Sequence, residues 1–223
     1  MQKYQKDFIE LAIFAGALKF GEFTLKSGRK SPYYFNSGVF FTGEFTNSLA
    51  GVFAELISHE LPPEKYDVVF GPAYKGIPLA VSVSMALARK GANKPWCFNR
   101  KEAKGHGDKG VFIGAPVADG TRVLMLDDVF TTGGAKDEAI AQLCSVAKVS
   151  IPGVFILLDR QEKDAEGKNA IAEFEKRHNT RVHAVVTADE IFEYLSKNKV
   201  NGELKVTVDL MAKYLGYKKQ HGV

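Results

Sequence analysis

Short continuous apolar runs alternate along the chain with segments in which apolar residues recur at helical spacing. Five runs have the length of strands buried on both faces, at residues 66–70, 95–99, 123–126, 154–158 and 182–186. Helical spacing is clearest at residues 8–15, 49–57 and 140–147. This alternation predicts an α/β fold, an open parallel sheet flanked by helices on both faces.

The two ends of the chain follow other patterns. Residues 23–36 predict two short aromatic-rich strands around a Gly-Arg-Lys turn. The segment from Thr187 to Glu190 has the spacing of a capping box and predicts the start of a helix. A last helix is expected around residues 210–215, followed by a basic tail that we expect to be frayed.

The hairpin at residues 23–36 combines cations with aromatic rings. The side chains concerned are Lys26, Arg29, Lys30, Tyr33, Tyr34 and Phe35. Such a set could hold a flat anionic ring, with cations for its charge and aromatics for its face. The alternative is an exposed hairpin with half-buried aromatic side chains. Because aromatic residues are common in strands, the pattern alone favours this alternative.

The most informative stretch begins where the run 123–126 ends. Asp127 and Asp128 follow it directly, and a small-residue turn, Thr-Thr-Gly-Gly at residues 131–134, leads into the next helix. Bare backbone N–H groups at a helix N-terminus suit a phosphate, whereas the carboxylates suit sugar hydroxyls or a hydrated Mg²⁺. The alternative is an ordinary turn with solvated acids, but the complete ordered run favours a binding loop. It resembles the phosphoribosyl-pyrophosphate (PRPP) motif of type I phosphoribosyltransferases.

Two further charged residues are expected at the same edge of the sheet. Lys75 lies in a Gly-rich loop after the run 66–70, and Arg160 follows the run 154–158. Open α/β sheets bind ligands at the carboxyl ends of their strands, which favours a functional role for both. The alternatives are a solvated turn lysine and a surface ion pair of Arg160 with Glu162 or Asp159.

Residues 100–110 form a basic, glycine-rich loop without apolar periodicity. Gly105, Gly107 and Gly110 satisfy the spacing of a dinucleotide-binding motif. We reject that interpretation, because no apolar strand directly precedes them and no helix begins after them. The loop is either a solvated surface segment or a cationic lid over a polyphosphate.

Composition narrows the class of protein. A chain of 223 residues with 45% hydrophobic content can bury a sizeable core, and we expect one domain over residues 1–223. The net charge of +4, from 30 basic and 26 acidic residues, does not by itself indicate nucleic acid. Cys97 and Cys144 are far apart in apolar surroundings, which indicates buried thiols in a reducing compartment. Without a signal sequence or membrane-spanning run, we expect a soluble cytoplasmic protein that binds neither membrane nor nucleic acid.

Five motifs in order resemble the orotate phosphoribosyltransferase family over about residues 20–162. They are Leu-Lys-Ser-Gly-Arg-Lys-Ser-Pro-Tyr-Tyr-Phe-Asn at 25–36, Gly-Pro-Ala-Tyr-Lys-Gly at 71–76, Asn-Arg-Lys-Glu-Ala-Lys-Gly-His-Gly at 99–107, the acidic motif at 127–135, and Leu-Asp-Arg-Gln at 158–161. The resemblance implies the type I phosphoribosyltransferase fold with a small N-terminal hood, and a mobile lid at about residues 101–114. It also implies transfer of the phosphoribosyl group of PRPP to orotate, with Mg²⁺, by a homodimer with shared active sites.

The resemblance also assigns site residues by position. On the orotate side it implies Lys26, Tyr34, Phe35 and Arg160, with Thr131 nearby. Around the pyrophosphate it implies Tyr74, Lys75, Arg100, Lys101, Lys104 and His106. For the ribose and 5'-phosphate it implies Asp127, Asp128, Val129, Phe130, Thr131, Thr132, Gly133, Gly134 and Ala135. Catalysis would depend on Lys101, Lys104, His106, Asp127 and Asp128. Mg²⁺ would be held mainly through PRPP and water, with Asp127 or Asp128 as the candidate protein ligand.

Two other functions fit parts of the pattern. A phosphoribosyltransferase for another base would keep the acidic motif but need not keep Lys26, Arg160 or the loop at 100–106, and all of these are present. A regulator that senses PRPP without catalysis would be expected to lose the lid or to carry a DNA-binding segment, and the sequence indicates neither.

Overall fold

The computed structural model describes residues 1–25, 27–100 and 110–223. Eight strands and seven helices are found in this part of the chain. The strands are β1 (Leu18–Thr24), β2 (Lys30–Phe35), β3 (Val68–Phe70), β4 (Trp96–Asn99), β5 (Phe112–Gly114), β6 (Arg122–Leu126), β7 (Ser150–Asp159) and β8 (Val182–Thr187). The helices are α1 (Lys3–Phe14), α2 (Gly43–Glu60), α3 (Gly76–Arg89), α4 (Gly134–Val146), α5 (Ala170–His178), α6 (Ala188–Lys197) and α7 (Val208–His221).

Six strands form the main sheet, in the order β5-β4-β3-β6-β7-β8. Neighbouring strands from β4 to β8 pair in parallel, and β5 pairs antiparallel with β4 at the edge. The predicted α/β class and the type I phosphoribosyltransferase architecture are therefore confirmed. The edge strand β5 is antiparallel and was not predicted; its three residues fall within the range predicted for the lid.

The hydrophobic core lies on both faces of this sheet. Alternate residues of each central strand point to opposite faces, so that Leu124 belongs to one buried cluster and Met125 to the other. Helices α1, α2, α3 and α6 cover the face of Leu124, and α4 and α5 cover the face of Met125. Strands buried in this way on both faces must be apolar throughout, which is why their positions could be predicted.

The N-terminal hood is a separate two-stranded sheet in which β1 and β2 pair antiparallel. Its aromatic residues pack onto the core. Tyr33 is fully buried and lies edge-on to Phe192 of α6 and Tyr214 of α7. The hairpin predicted at residues 23–36 is present, and β1 begins earlier, at Leu18.

Two local expectations were wrong. Cys144 is exposed rather than buried, because it lies beside the buried stripe of α4 that includes Ile140 and Leu143. The expected frayed tail is instead the C-terminal part of α7, which extends to His221. The backbone N–H of Lys163 donates to the carbonyl of His221, and this bond ties the end of α7 to the rest of the chain.

The capping box at Thr187 and Glu190 is formed as predicted, with reciprocal side-chain to backbone hydrogen bonds of 3.2 and 2.8 Å. Within residues 1–25, 27–100 and 110–223, no helix is long and apolar enough to cross a membrane.

Candidate active site

Three neighbouring strands bring the charged residues to one edge of the sheet. β3, β6 and β7 are adjacent and parallel, so that the loops after their carboxyl ends meet. These loops contain Lys75, the Asp127-Asp128 pair and Arg160. Lys75 and Asp128 are in direct contact, since the Lys75 Nζ atom lies 2.7 Å from Asp128 Oδ2.

Asp128 is held at the centre of this edge. Its Oδ2 accepts hydrogen bonds from Ser37 Oγ at 2.5 Å and from Lys75 Nζ at 2.7 Å, and its Oδ1 accepts from the backbone N–H of Val129 at 2.9 Å. Burial raises the pKa of Asp128, but the hydrogen bonds from Lys75 and Ser37 outweigh burial and hold the pKa below its usual value. Asp128 is therefore ionised at neutral pH and ready to accept hydrogen bonds from a ligand.

Asp127 faces inward. Its Oδ2 lies 2.5 Å from Lys136 Nζ, and its Oδ1 accepts the backbone N–H of Asp128 at 2.9 Å. Burial raises the pKa of Asp127, although the Lys136 ammonium opposes this shift. Two adjacent carboxylates thus have different surroundings, because one pairs with a buried lysine and the other with a lysine on the ligand side.

The small-residue turn after the acids forms a concave loop that begins α4. Thr131, Thr132 and Gly134 are exposed, and Gly133 caps the helix with a φ of 84°. A Cβ atom at Gly133 would lie 2.8 Å from the ring of Phe130, so both the backbone conformation and the packing require glycine. The exposed N-terminus of α4 offers backbone N–H donors of the kind that suit an anion, at the position where the sequence predicts a phosphate.

The remaining residues of the acidic motif support this loop. Val129 forms a parallel bridge with Leu158 of β7, and Phe130 is buried against Phe174 of α5 with ring centroids 5.2 Å apart. Ala135 is exposed in the first turn of α4.

A second loop, residues 71–76, carries Tyr74 and Lys75. Its two glycines are in close contact, since a Cβ at Gly71 would lie 1.9 Å from the carbonyl oxygen of Gly76. Asn99 at the end of β4 accepts the backbone N–H of Ala73 at 2.8 Å and thereby holds the loop. The Tyr74 side chain is 71% exposed and that of Lys75 is 60% exposed, so both are accessible to a ligand.

Arg160 lies in a nearly buried cluster beneath the hood. Its Nε and Nη2 atoms lie 2.8 and 2.7 Å from Glu162 Oε1, Nη2 is 3.2 Å from Ser31 Oγ, and the guanidinium stacks 4.2 Å from the ring centroid of Tyr33. Glu162 also accepts a hydrogen bond from the Tyr217 hydroxyl of α7 at 3.0 Å. The ion pair with Glu162 that the sequence left open is thus formed, and it is largely shielded from solvent.

The other sequence-predicted residues are distributed as follows. Tyr34 is 40% exposed and lies 5.5 Å from the ring of Phe23, whereas Phe35 packs edge-on to Phe8. Arg100 is half buried at the start of the basic loop, and its Nε atom has no hydrogen-bond partner among the described residues. Lys26, Lys101, Lys104 and His106 lie outside the described residues.

Sequence reasoning missed Ser37, Asn99 and Lys136. Ser37 carries no recognisable signal, because it reaches Asp128 from a distant part of the chain. Asn99 begins the motif at 99–107, but its role in holding the loop 71–76 depends on a contact that spacing does not show. Lys136 carried a weak signal, since a lysine in the first turn of a helix opposes the helix dipole and needs an acidic partner nearby.

In the part of the chain that the structure describes, no group of three or more His, Cys, Asp or Glu side chains could hold a metal ion.

Comparison with known proteins agrees with this geometry. A family model described as a phosphoribosyl transferase domain matches residues 42–191. The chain is similar to orotate phosphoribosyltransferases from Pseudomonas aeruginosa, with 43% identity, and Clostridium acetobutylicum, with 39% identity, in both cases over 100% of each chain. It also resembles the crystal structure of an orotate phosphoribosyltransferase from Francisella tularensis, with 39% identity and a TM-score of 0.84, over 97% of this chain and 99% of the other.

Proposed function

The chain belongs to the orotate phosphoribosyltransferase family, and on this premise we propose how its residues divide the work of the reaction. The enzyme is a glycosyltransferase of pyrimidine biosynthesis that transfers the 5-phosphoribosyl group from PRPP to orotate. The products are orotidine 5'-phosphate, the precursor of UMP, and pyrophosphate. The observation that carries the proposal is the ion pair of Asp128 with the exposed Lys75, directly before the loop that leads into the N-terminus of α4.

The 5'-phosphate binds at the N-terminus of α4. The turn from Thr131 to Gly134 offers hydroxyl and backbone N–H donors there, and the helix dipole favours an anion. The ribose lies next to this loop, and Asp128 accepts hydrogen bonds from its hydroxyl groups. Asp127 supports this arrangement from behind, because both of its carboxylate oxygens already have partners within the protein.

The pyrophosphate of PRPP binds on the other side of Asp128. The Lys75 side chain is exposed, so its ammonium group can leave Asp128 and bind a phosphate oxygen instead. Tyr74 belongs to the same loop as Lys75, and Arg100 follows β4, the strand next to β3, so we assign both to the pyrophosphate as well. The family resemblance adds Lys101, Lys104 and His106 of the basic loop, which lie outside the described residues, as a lid over this group.

Orotate binds beneath the hood, where Arg160 grips its carboxylate. The guanidinium is oriented in advance by Glu162, Ser31 and the face of Tyr33. A guanidinium held in this way keeps its Nη1 atom for a charge-assisted hydrogen bond to the carboxylate. Lys26, Tyr34 and Phe35 complete the orotate side through the hairpin, with Thr131 facing it from the phosphate loop.

Mg²⁺ is part of the proposal, held mainly by PRPP oxygens and water. Mg²⁺ retains several waters and binds through substrate phosphates with one or two carboxylates, and Asp128 is the carboxylate on the ligand side. When bound, the ion would neutralise charge on the phosphate oxygens.

These positions suit a reaction with a cation-like transition state at the anomeric carbon. Loss of pyrophosphate develops negative charge on the departing oxygens and positive charge on the ribose ring. Lys75, Arg100 and the lid cations face the first charge, and the Asp128 carboxylate lies near the second. Orotate is already an anionic nucleophile, so no strong base is needed.

Three further statements complete the proposal. The family resemblance supports a single phosphoribosyltransferase domain over residues 1–223, and a homodimer in which the lid of one chain serves the site of its partner. The free thiols of Cys97 and Cys144 support a cytoplasmic location.

The test is to follow orotate absorbance with purified protein, PRPP and Mg²⁺. Absorbance should fall only when all three are present, chelation of the metal should stop the reaction, and added Mg²⁺ should restore it. Uracil in place of orotate is the control for the base and should not react. Binding of PRPP without consumption of orotate would contradict the proposal and indicate a PRPP-sensing protein.

A further inference from the structure

Lys136 is a buried charged residue immediately after the phosphate loop. Its side chain is only 4% exposed and it lies in the first turn of α4. A cation at this end of a helix opposes the helix dipole, and burying an ammonium group is costly unless it is paired. Specific partners must therefore compensate for its position.

The partners of Lys136 come before the phosphate loop in the chain, whereas Lys136 comes after it. Its Nζ atom is 2.5 Å from Asp127 Oδ2 and 2.9 Å from the carbonyl oxygen of Val129, and it lies 5.0 Å from the ring centroid of Phe130. Asp127 and Val129 precede the loop, whereas Lys136 follows it. One ammonium group thus joins the two ends of the loop that runs from Thr131 to Ala135.

The same contacts fix the backbone of Asp128. Lys136 holds the residues on either side of it, Asp127 and Val129. Between them, the Asp128 N–H donates to Asp127 Oδ1 and the Asp128 carbonyl accepts the N–H of Leu157 at 2.9 Å. The backbone of Asp128 is thereby fixed, and its carboxylate is directed toward Ser37 and Lys75.

We propose that Lys136 is a positioning residue for PRPP, which acts through Asp127 to set the width of the phosphate loop and the direction of the Asp128 carboxylate. The inference rests on the proposed function, since it assigns the loop to the 5'-phosphate and Asp128 to the ribose. Lys136 itself touches no ligand. Its effect is therefore confined to the phosphoribosyl part of the reaction, and orotate binding does not depend on it.

The first test replaces Lys136 with methionine, which keeps most of the side-chain volume without the charge. Ribose 5-phosphate is the probe, because it carries only the two groups in question, and its affinity is measured by calorimetry well below the melting temperature of each variant. We expect Lys136→Met to weaken binding about tenfold or more. The KM for PRPP should rise, whereas the KM for orotate should stay within about twofold of the wild type. Lys197→Met, which breaks a surface pair with Glu193, is the matched control and should change neither.

The second test is a double-mutant cycle with Asp127→Asn. Each single variant leaves one buried charge unpaired and should lose stability, whereas the double variant removes both charges and should regain part of that stability. Affinity for ribose 5-phosphate should behave differently. Because the loop is held only when both partners are present, the double variant should bind as weakly as the single variants.

Three results would overturn the inference. Recovery of affinity together with stability in the double variant would mean that only the unpaired charge mattered. Additive losses would mean that Lys136 does not act through Asp127. Equal increases in KM for orotate and PRPP would mean a general structural role. A wild-type protein that fails to bind ribose 5-phosphate would instead refute the proposed function, and this inference with it.

Discussion

Replacement of Arg160 by alanine should separate the orotate site from the PRPP site. Arg160 and Glu162 have side chains that are 13% and 15% exposed, and the described contacts of the guanidinium use its Nε and Nη2 atoms. The two N–H groups on Nη1 are not used by these contacts and can meet the orotate carboxylate. Arg160→Ala removes them without touching Asp128, Lys75 or the phosphate loop.

The magnitude follows from the type of bond. A hydrogen bond to a charged group is worth about 1.5–3 kcal/mol, which corresponds to roughly 10- to 150-fold in kcat/KM for orotate. The variant should also lose stability, because Glu162 then lacks its main cationic partner. Breaking a buried pair costs about 3–5 kcal/mol, and we expect less here because Glu162 keeps the Tyr217 hydroxyl and some exposure.

The assay is orotate absorbance, with orotate varied at saturating PRPP and then PRPP varied at saturating orotate. Arg160→Lys should be intermediate, since it keeps the charge but not the planar fork. Arg181→Ala is the matched control, because the Arg181 side chain is 78% exposed and, among the described residues, its ion pair is a long one of 3.8 Å with Glu175. Circular dichroism melting curves are the check that each variant is folded at the assay temperature.

Two outcomes would refute this reasoning. A folded Arg160→Ala enzyme with kcat/KM for orotate within about twofold of the wild type would remove Arg160 from the orotate site. Equal losses for orotate and PRPP would mean that Arg160 supports the fold of the whole site rather than one substrate.

Three other changes test the rest of the site. Gly71→Ala would place a Cβ 1.9 Å from a backbone oxygen. It should lower the free energy of unfolding in urea by about 1–3 kcal/mol and should also weaken PRPP binding. Gly51→Ala is the control, because a Cβ there meets open space in α2, and it should be neutral or slightly stabilising. Replacing Asp127 and Asp128 together by asparagine should lower kcat/KM strongly while circular dichroism still reports a folded protein, and full activity would reduce the acids to a solvated turn. Lys104→Ala and Asp128→Asn proteins can be mixed under conditions that exchange subunits. If each active site uses residues of both chains, half of the dimers are mixed and hold one intact site, so ~25% of wild-type activity should return. Confirmed heterodimers that stay inactive would show that the active site is not shared between chains.

The central strands were predictable because burial on both faces leaves no room for polar residues. β6, at Arg122–Leu126, lies within one residue of its predicted bounds. β5 and α5 were missed because they bury few residues. β5 has three residues at a half-exposed edge, and α5 buries only Ala170 and Phe174, so neither shows a period long enough to detect.

The two carboxylates show what sequence cannot supply. Their adjacency and their position at the end of a strand were evident, but which one faces a ligand depends on partners from elsewhere in the chain. Ser37 lies 91 residues from Asp128, and Lys75 lies 53 residues away. These contacts are set by packing of the hood and of α3 against the sheet. The sequence placed Lys75 at this edge but not against one particular acid, and it gave no sign of Ser37.

The orotate side is harder to predict than the PRPP side, because its parts are distributed over the chain. The phosphate loop and both acids come from one continuous segment, so their spacing is preserved in the sequence. Arg160 is instead oriented by Ser31 of the hood and by Glu162, which Tyr217 of α7 holds in turn. The C-terminal helix therefore reaches Arg160 through two hydrogen-bonded steps, although the sequence indicated only a short helix around residues 210–215 followed by a basic tail. On the proposed assignment, the choice of base depends on how three distant elements pack together, whereas the ribose and 5'-phosphate are bound by residues of one continuous segment.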